Sequence, residues 1–205
     1  MTDRITRGRA DKFTERRDEL ADVALQTLSE LGYARTSLRE IAQNSDFSHG
    51  VLHYYFEDKV DLITYCVQRY KVASVARYDR IVSDASTAEE LRYSFANGFA
   101  MTLVDDAAMH RLWYDLRSQS LFESGFRADV AEIDNSLERM IWRIVERYAE
   151  LLGTVVSVPS SVAYATLDGL FQQSLLRYLC GDVGVSFTVR AAVEDLLPRL
   201  VLPRA

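Results

Sequence analysis

The chain has 205 residues, 48% of them apolar and 26% charged, with a formal net charge of −6. This balance excludes a disordered chain, and no run approaches the roughly 18 consecutive apolar residues of a membrane helix. Cys66 and Cys180 are the only cysteines, which suits a reducing, cytoplasmic setting, and the opening MTDRITRGRADKF lacks the apolar core of a secretory leader.

The three prolines are Pro159, Pro198 and Pro203, so helices are expected to dominate the long proline-free stretch before them. Residues 1–17 carry six basic groups (Arg4, Arg7, Arg9, Lys12, Arg16, Arg17) against three acidic ones, a net of +3. The remainder carries 18 basic and 27 acidic groups, a net of −9. Such a start reads either as a solvated tail or as an arm facing phosphates.

A helix is predicted over 12–31, with Leu20, Ala24, Leu28 and Leu31 on one face and Gly32 placed to end it. A short helix follows over 37–44, with Leu38, Ile41 and Ala42 on its apolar side. Ser45-Asp46-Phe47 then breaks the chain, and Ser48 is a good N-cap for a third helix reaching about Tyr54. Asp58 caps a fourth, running from Lys59 to about Val82. Two short helices joined by a three-residue turn form the pattern of a helix-turn-helix, whose second helix enters the major groove of DNA.

The run TSLREIAQNSDFSHGVLHYYFEDKVDLI (36–63), with RRDELADVALQTLSELGYARTS (16–37) before it, resembles the signature of the tetracycline-repressor (TetR) family of bacterial transcription regulators. The resemblance covers about 50 residues at fixed spacing; beyond residue 63 it lies in architecture more than in motif. It implies an all-α fold: an N-terminal three-helix DNA-binding unit with a helix-turn-helix (1–57), joined through a long fourth helix to a C-terminal helical ligand-sensing and dimerisation domain (58–205). Two positions depart from the pattern. Asp46 stands where the turn usually has Gly, so a left-handed residue is expected there at a local cost of about 1 kcal/mol. His53 replaces the first aromatic of the Leu-Tyr-Tyr-Phe run.

Carried onto this chain, the resemblance assigns DNA contacts to Ser37, Arg39, Ser48, His49, Gly50, Val51, His53, Tyr54, Tyr55 and Lys59. Arg39 can reach phosphate or guanine. Ser48 and the nearby backbone amides can hold a phosphate. Gly50 permits close approach, Val51 can touch a thymine methyl, and the donors of His53, Tyr54 and Tyr55 can fix register on phosphates. Lys59 opposes its helix dipole, which suits a phosphate better than it suits stability. Phe47, Leu52 and Phe56 read as domain core. His49 and His53 share an i, i+4 spacing, but a third metal ligand is missing, so no metal site is assigned.

The rest of the chain reads as helices. Thr87-Ala-Glu-Glu90 is a capping box opening a helix with Leu91, Phe95, Phe99 and Leu103 in a stripe. Helices are expected over about 107–121 and 127–152, the latter with Val130, Ile133, Leu137, Met140, Ile141, Ile144, Tyr148 and Leu151 in register. Gly153 and Pro159 bound a loop. The segment from Ser160 to about Cys180 is apolar nearly all round, which implies burial on two sides. A last helix is expected over about 188–200. The final two helices are where the family forms its homodimer; the competing reading is a monomer with a central buried helix.

The helices that surround the family's cavity supply Phe99, Met101, His110, Trp113, Tyr114, Arg117, Trp142 and Phe171 as ligand-binding candidates, although each also fits plain core or, for Arg117, an ion pair. Large aromatics with few polar groups suit a small, largely apolar effector. The expected function is a repressor that binds a palindromic double-stranded DNA operator as a homodimer and is released by that effector, with no cofactor and no membrane. The alternative is a helical ligand-binding or scaffolding dimer without DNA binding. An enzyme is not expected: no catalytic triad, phosphate loop or Glu-x-x-His motif is present, and no catalytic residue is assigned.

Overall fold

A computed structural model describes residues 2–32 and 36–204, the side chains of 2–10, 29 and 30 excepted. Arg4, Arg7 and Arg9 of the basic start therefore lie outside the described side chains, as does Tyr33. The described helices are α1 Thr2–Leu31, α2 Leu38–Gln43, α3 His49–Tyr55, α4 Lys59–Asp84, α5 Ala88–Asp105, α6 Ala107–Gln119, α7 Arg127–Leu152, α8 Ser160–Leu179 and α9 Val185–Leu196. Two short strands, β1 Thr154–Val156 and β2 Val201–Pro203, complete the order. The fold is all-α, as the sequence predicts. No helix among the described residues is long and apolar enough to cross a membrane.

The chain divides into two compact units. The first comprises the residues up to Tyr70 together with Arg111–Arg127; the second comprises Lys71–His110 and the residues from Ala128 onward.

In the first unit, α1 begins at Thr2, ahead of the apolar stripe that marks it in the sequence, and ends at Gly32. Gly32 adopts φ +77°, a conformation open to glycine, and its N–H closes the helix on the Leu28 carbonyl at 2.9 Å. Leu20, Ala24 and Leu28 of α1, Leu38 and Ile41 of α2, Leu52 of α3 with Phe56 at its exit, and Leu62 and Ile63 of α4 are buried and form the core. α1 is tied to α4 by polar contacts: Tyr65 Oη donates to Asp18 at 2.7 Å, and Arg69 pairs with Asp18 and Asp22, each at 2.8 Å.

The turn between α2 and α3 corrects one expectation. No described residue other than glycine has a positive φ, so Asp46 is not left-handed and the expected cost does not arise. The turn is built by its neighbours instead. Ser45 Oγ donates to the Ala42 carbonyl at 3.4 Å and accepts from the Phe47 amide at 3.3 Å, while Asn44 caps the Glu40 carbonyl through both its amides.

In the second unit, α5 packs on α9 and α8. The Thr87–Glu90 capping box forms as predicted, with each partner donating a backbone amide to the other's side chain. α7 occupies the predicted residues and buries the predicted stripe from Val130 to Tyr148, whereas Leu151 near its end is half-buried. α8 is buried on one side within the single chain. Tyr164, Leu167, Phe171 and Leu175 are buried, whereas Val162, Leu176 and Leu179 face outward within the single chain. The last helix starts earlier than expected, at Val185, and ends at Leu196; Pro198 has no amide to donate, and a 3-10 turn (Leu197–Leu200) follows. The expected loop after Gly153 is partly strand. β1 pairs antiparallel with β2, Val155 opposite Leu202, and the Ser157 amide donates to the Leu200 carbonyl at 2.8 Å.

Candidate nucleic-acid interface and effector region

Ser37 and Ser48 carry the two short helices. Ser37 Oγ accepts from the Glu40 amide at 3.2 Å and Ser48 Oγ from the Val51 amide at 3.3 Å, so each satisfies an otherwise unpaired amide of the first turn. With Leu52 buried below, α3 turns His49, Gly50, His53 and Tyr54 outward, and Val51 and Tyr55 are half-buried at its flanks. Tyr54 is 72% exposed, an unusual exposure for so large a ring. Its position is held from the side: Phe13 of α1 stacks at 4.7 Å on Tyr55, and Tyr55 meets the Tyr54 ring edge at 4.9 Å. The His49 and His53 rings meet edge to face at 4.4 Å, one turn apart. A Cβ on Gly50 would meet only Ser48 Oγ, at 4.0 Å, so packing does not require glycine there. Arg39 is exposed on α2, and Lys59 is half-buried in the first turn of α4. All ten predicted DNA-contact residues thus belong to the first unit.

Two members of the basic start are occupied in the domain itself. Arg16 pairs with Glu19 and lies over the Phe47 ring at 4.6 Å. Arg17 donates to Asp61 at 2.9 Å and covers the rings of Phe56 and Tyr65 at 4.6 and 4.3 Å. Of the described side chains in that segment, Lys12 remains exposed. Arg16 and Arg17 thus serve the domain itself, and net charge along the sequence does not distinguish a guanidinium used for stacking from one left for phosphate.

The effector candidates divide between the units. Phe99, His110 and Phe171 come together in the second unit: the His110 and Phe171 rings are 4.4 Å apart, and Phe171 meets Phe99 at 5.0 Å. Trp142, on α7 of the same unit, is half-buried. Met101 is separated from that cluster, because two residues along α5 is more than half a turn from Phe99. It is 52% exposed, at a hollow of about 420 Å³ lined also by Val104, Tyr178 and Val185. Trp113 and Tyr114, both buried, and the half-buried Arg117 belong to the first unit.

Sequence reading missed one residue here. Lys71 is only 5% exposed, and its Nζ lies 3.5 Å from His110 Nδ1. The signal available was its rarity, since the chain has only three lysines. Burial holds the His110 imidazole well below its usual titration range, and the positive charges of Lys71 and Arg77 push it further down.

A capped three-residue turn, a short helix with an exposed polar face and a buried underside together define a helix-turn-helix unit of the DNA-binding class. Residues 20–66 match the model of the bacterial regulatory proteins, tetR family. The chain is 28% identical over 197 residues to the HTH-type transcriptional regulator BetI of Burkholderia thailandensis, covering 93% of this chain and 95% of that one. Solved structures share the fold. A transcriptional regulator from Saccharomonospora viridis in complex with choline aligns with TM-score 0.72 at 17% identity, over 93% of this chain and 100% of that one. The transcriptional regulator FadR from Bacillus subtilis in complex with stearoyl-CoA aligns with TM-score 0.69 at 17% identity, over 87% and 95%. Residues 20–66 thus carry a TetR-family DNA-binding domain, and the relatives that the chain resembles along most of its length are transcriptional regulators.

Proposed function

We propose that the protein is a cytoplasmic repressor that binds a palindromic double-stranded operator as a homodimer and leaves it when a small effector binds. The reading assigns 1–57 to operator binding and 58–205 to sensing and dimerisation. The observation that carries it is the outward face of α3, where His49, Gly50, His53 and the exposed Tyr54 offer donors, an unobstructed backbone and an aromatic edge above a buried Leu52. Arg39, Ser48, Tyr55 and Lys59 flank that face and fix register on phosphates, while His49 and Val51 meet base edges.

Two further observations support the reading. Leu176, Leu179, Val183 and Phe187 lie exposed on α8, α9 and their connection, an apolar surface that a second copy would cover. The structures with choline and with stearoyl-CoA show that this fold accommodates small molecules in other regulators. An effector that binds only the DNA-released conformation lowers operator affinity by the ratio of its own affinities for the two states.

The test is selection of operators from a random duplex pool with wild-type protein, followed by gel shifts at two salt concentrations. A palindrome with half-sites about one helical turn apart, bound with a steep negative salt slope, is the expected result. Recovery of no sequence preference would favour the helical dimer without DNA binding.

A further inference from the structure

The hollow beside Met101 holds a charge that the packing around it does not use. It is bounded by the end of α5 and by the segment that leads from α8 into α9, all within the second unit. Its walls are Val104, Val183 and Val185, the Met101 side chain and the Tyr178 ring, and Asp105 is the only charged residue that lines it. Asp105 is the last residue of α5, where the negative end of the helix disfavours an acid and favours a cation. Among the described residues Asp105 makes no ion pair. Its neighbour Asp106 holds Arg77 at 3.1 Å, and Arg177, beside Tyr178, holds Asp182 at 2.6 Å, so neither cation serves Asp105. Tyr178 is half-buried, and its ring meets no other ring or cation among the described residues.

We infer that this hollow binds a small organic ammonium, its cationic nitrogen held by the Asp105 carboxylate and the Tyr178 ring and its hydrocarbon body lying on the three valines. The site is separate from the Phe99–His110–Phe171 cluster, and its occupation does not depend on operator binding. Three features agree on the sign of the ligand: an unpaired carboxylate, the negative end of a helix, and a ring whose face attracts cations. An anion meets repulsion from the first two. A neutral molecule gains the walls but not the charge. The walls explain why a bare metal ion or ammonium is a poorer occupant: Met101 is 52% and Val183 99% exposed, and a hydrocarbon body removes part of both from water. A volume of about 420 Å³ gives a short chain room to lie down. Val183 belongs also to the apolar surface that a second copy would cover, so the bound body lies at the rim of that surface.

Three probes of one chain length test the inference: hexylammonium, hexanol and hexanoate, titrated into the wild-type protein as it assembles. No DNA is present, so the outcome is separate from that of the operator selection. Binding is read from backbone amide shifts by nuclear magnetic resonance, which also locate the probe. Hexylammonium is expected to shift the amides of Val104, Asp105 and Val185 and to bind about fivefold more tightly than hexanol, through an exposed ion pair and a ring contact together. Hexanoate is expected not to bind there. The preference should fade between about 0.02 and 0.3 M salt, because Asp105 is exposed. Asp105→Asn should reduce it to less than about twofold, and Asp105→Glu should keep it. Without probe, Asp105→Asn should melt no lower than wild type, since it relieves the end of α5, so its loss of preference does not report misfolding. Hexanol or hexanoate binding as tightly as hexylammonium, an unchanged preference in Asp105→Asn, shifts confined to another part of the molecule, or binding of none of the three would overturn the inference.

Discussion

Arg17 of α1 donates to Asp61 of α4 at 2.9 Å while its guanidinium covers the rings of Phe56 and Tyr65. One side chain thus joins the first helix, the exit of α3 and the start of α4. Its planar group satisfies both demands, since the in-plane N–H groups reach the carboxylate while the face lies on the aromatics. Arg17→Ala removes the ion pair, two cation–π contacts and the packing of the stem. The expected loss is about 1–3 kcal/mol of stability. Urea unfolding should show a lower midpoint with an unchanged slope, and Arg17→Lys should recover only part of it, because an ammonium cannot stack and pair at once. A midpoint unaltered in Arg17→Ala would show that the guanidinium is dispensable to the domain.

Gly50 separates stability from function. It lies inside α3 with open space around its Cα, so Gly50→Ala should stabilise the isolated protein by roughly 0.5–1 kcal/mol through helix propensity. On the reading proposed above, the added methyl stands where the helix meets DNA, and operator affinity should fall at least tenfold. Tyr54→Ala should lower affinity with little change in stability, since most of the ring is in solvent. Thermal melts beside gel shifts on a selected operator check both. A Gly50→Ala protein that binds as wild type would move the DNA interface away from this turn of α3.

Local signals made much of this legible in sequence. Ser37, Ser48 and the Thr87–Glu90 box mark helix starts because a cap depends on residues three apart, and the stripe of α7 needs only a period of 3.6. What escaped depends on distant partners. The pairing of Thr154–Val156 with Val201–Pro203 joins segments separated by all of α8 and α9, and three residues carry no readable alternation. Arg17 looks the same in sequence whether it stacks on Phe56 or waits for phosphate. Asp46 invited a left-handed reading that the Ser45 side-chain bonds made unnecessary. Lys71 looked like any helix-surface lysine apart from its rarity, and the approach of His110 from another helix shows otherwise.

His110 gives a pH dependence with a definite sign. Its folded-state titration lies below the ordinary histidine value because it is buried beside Lys71 and Arg77. The unfolded chain therefore takes up a proton at higher pH than the native one. The native state keeps its full stability above about pH 6.5 and loses it as the pH falls, by up to about 1.4 kcal/mol per unit until the native imidazole is also protonated. His110→Phe should flatten that loss between about pH 6.5 and 5, above the range where carboxylates protonate. Urea midpoints measured at half-unit intervals check this, and a slope identical in wild type and His110→Phe would locate the acid sensitivity elsewhere.

Val183 is 99% exposed, and Leu176, Leu179 and Phe187 accompany it along the ends of α8 and α9. A single chain gains nothing by presenting four large apolar side chains together in water, whereas a two-fold interface buries each of them twice. Burying a Leu or Phe side chain is worth about 1.5–3 kcal/mol, so replacing Leu176 and Phe187 removes four such terms from a symmetric dimer. The double variant Leu176→Glu, Phe187→Asp should raise the dimer dissociation constant more than a hundredfold while leaving the helical circular dichroism spectrum unchanged, since neither side chain is part of the core. Operator affinity should fall with it, because two half-sites would then be bound by separate monomers instead of one preassembled pair. Sedimentation equilibrium at micromolar concentration distinguishes the outcomes. Wild type is expected as a dimer and the double variant as a monomer; a variant that remains dimeric would place the interface on another face of the second unit.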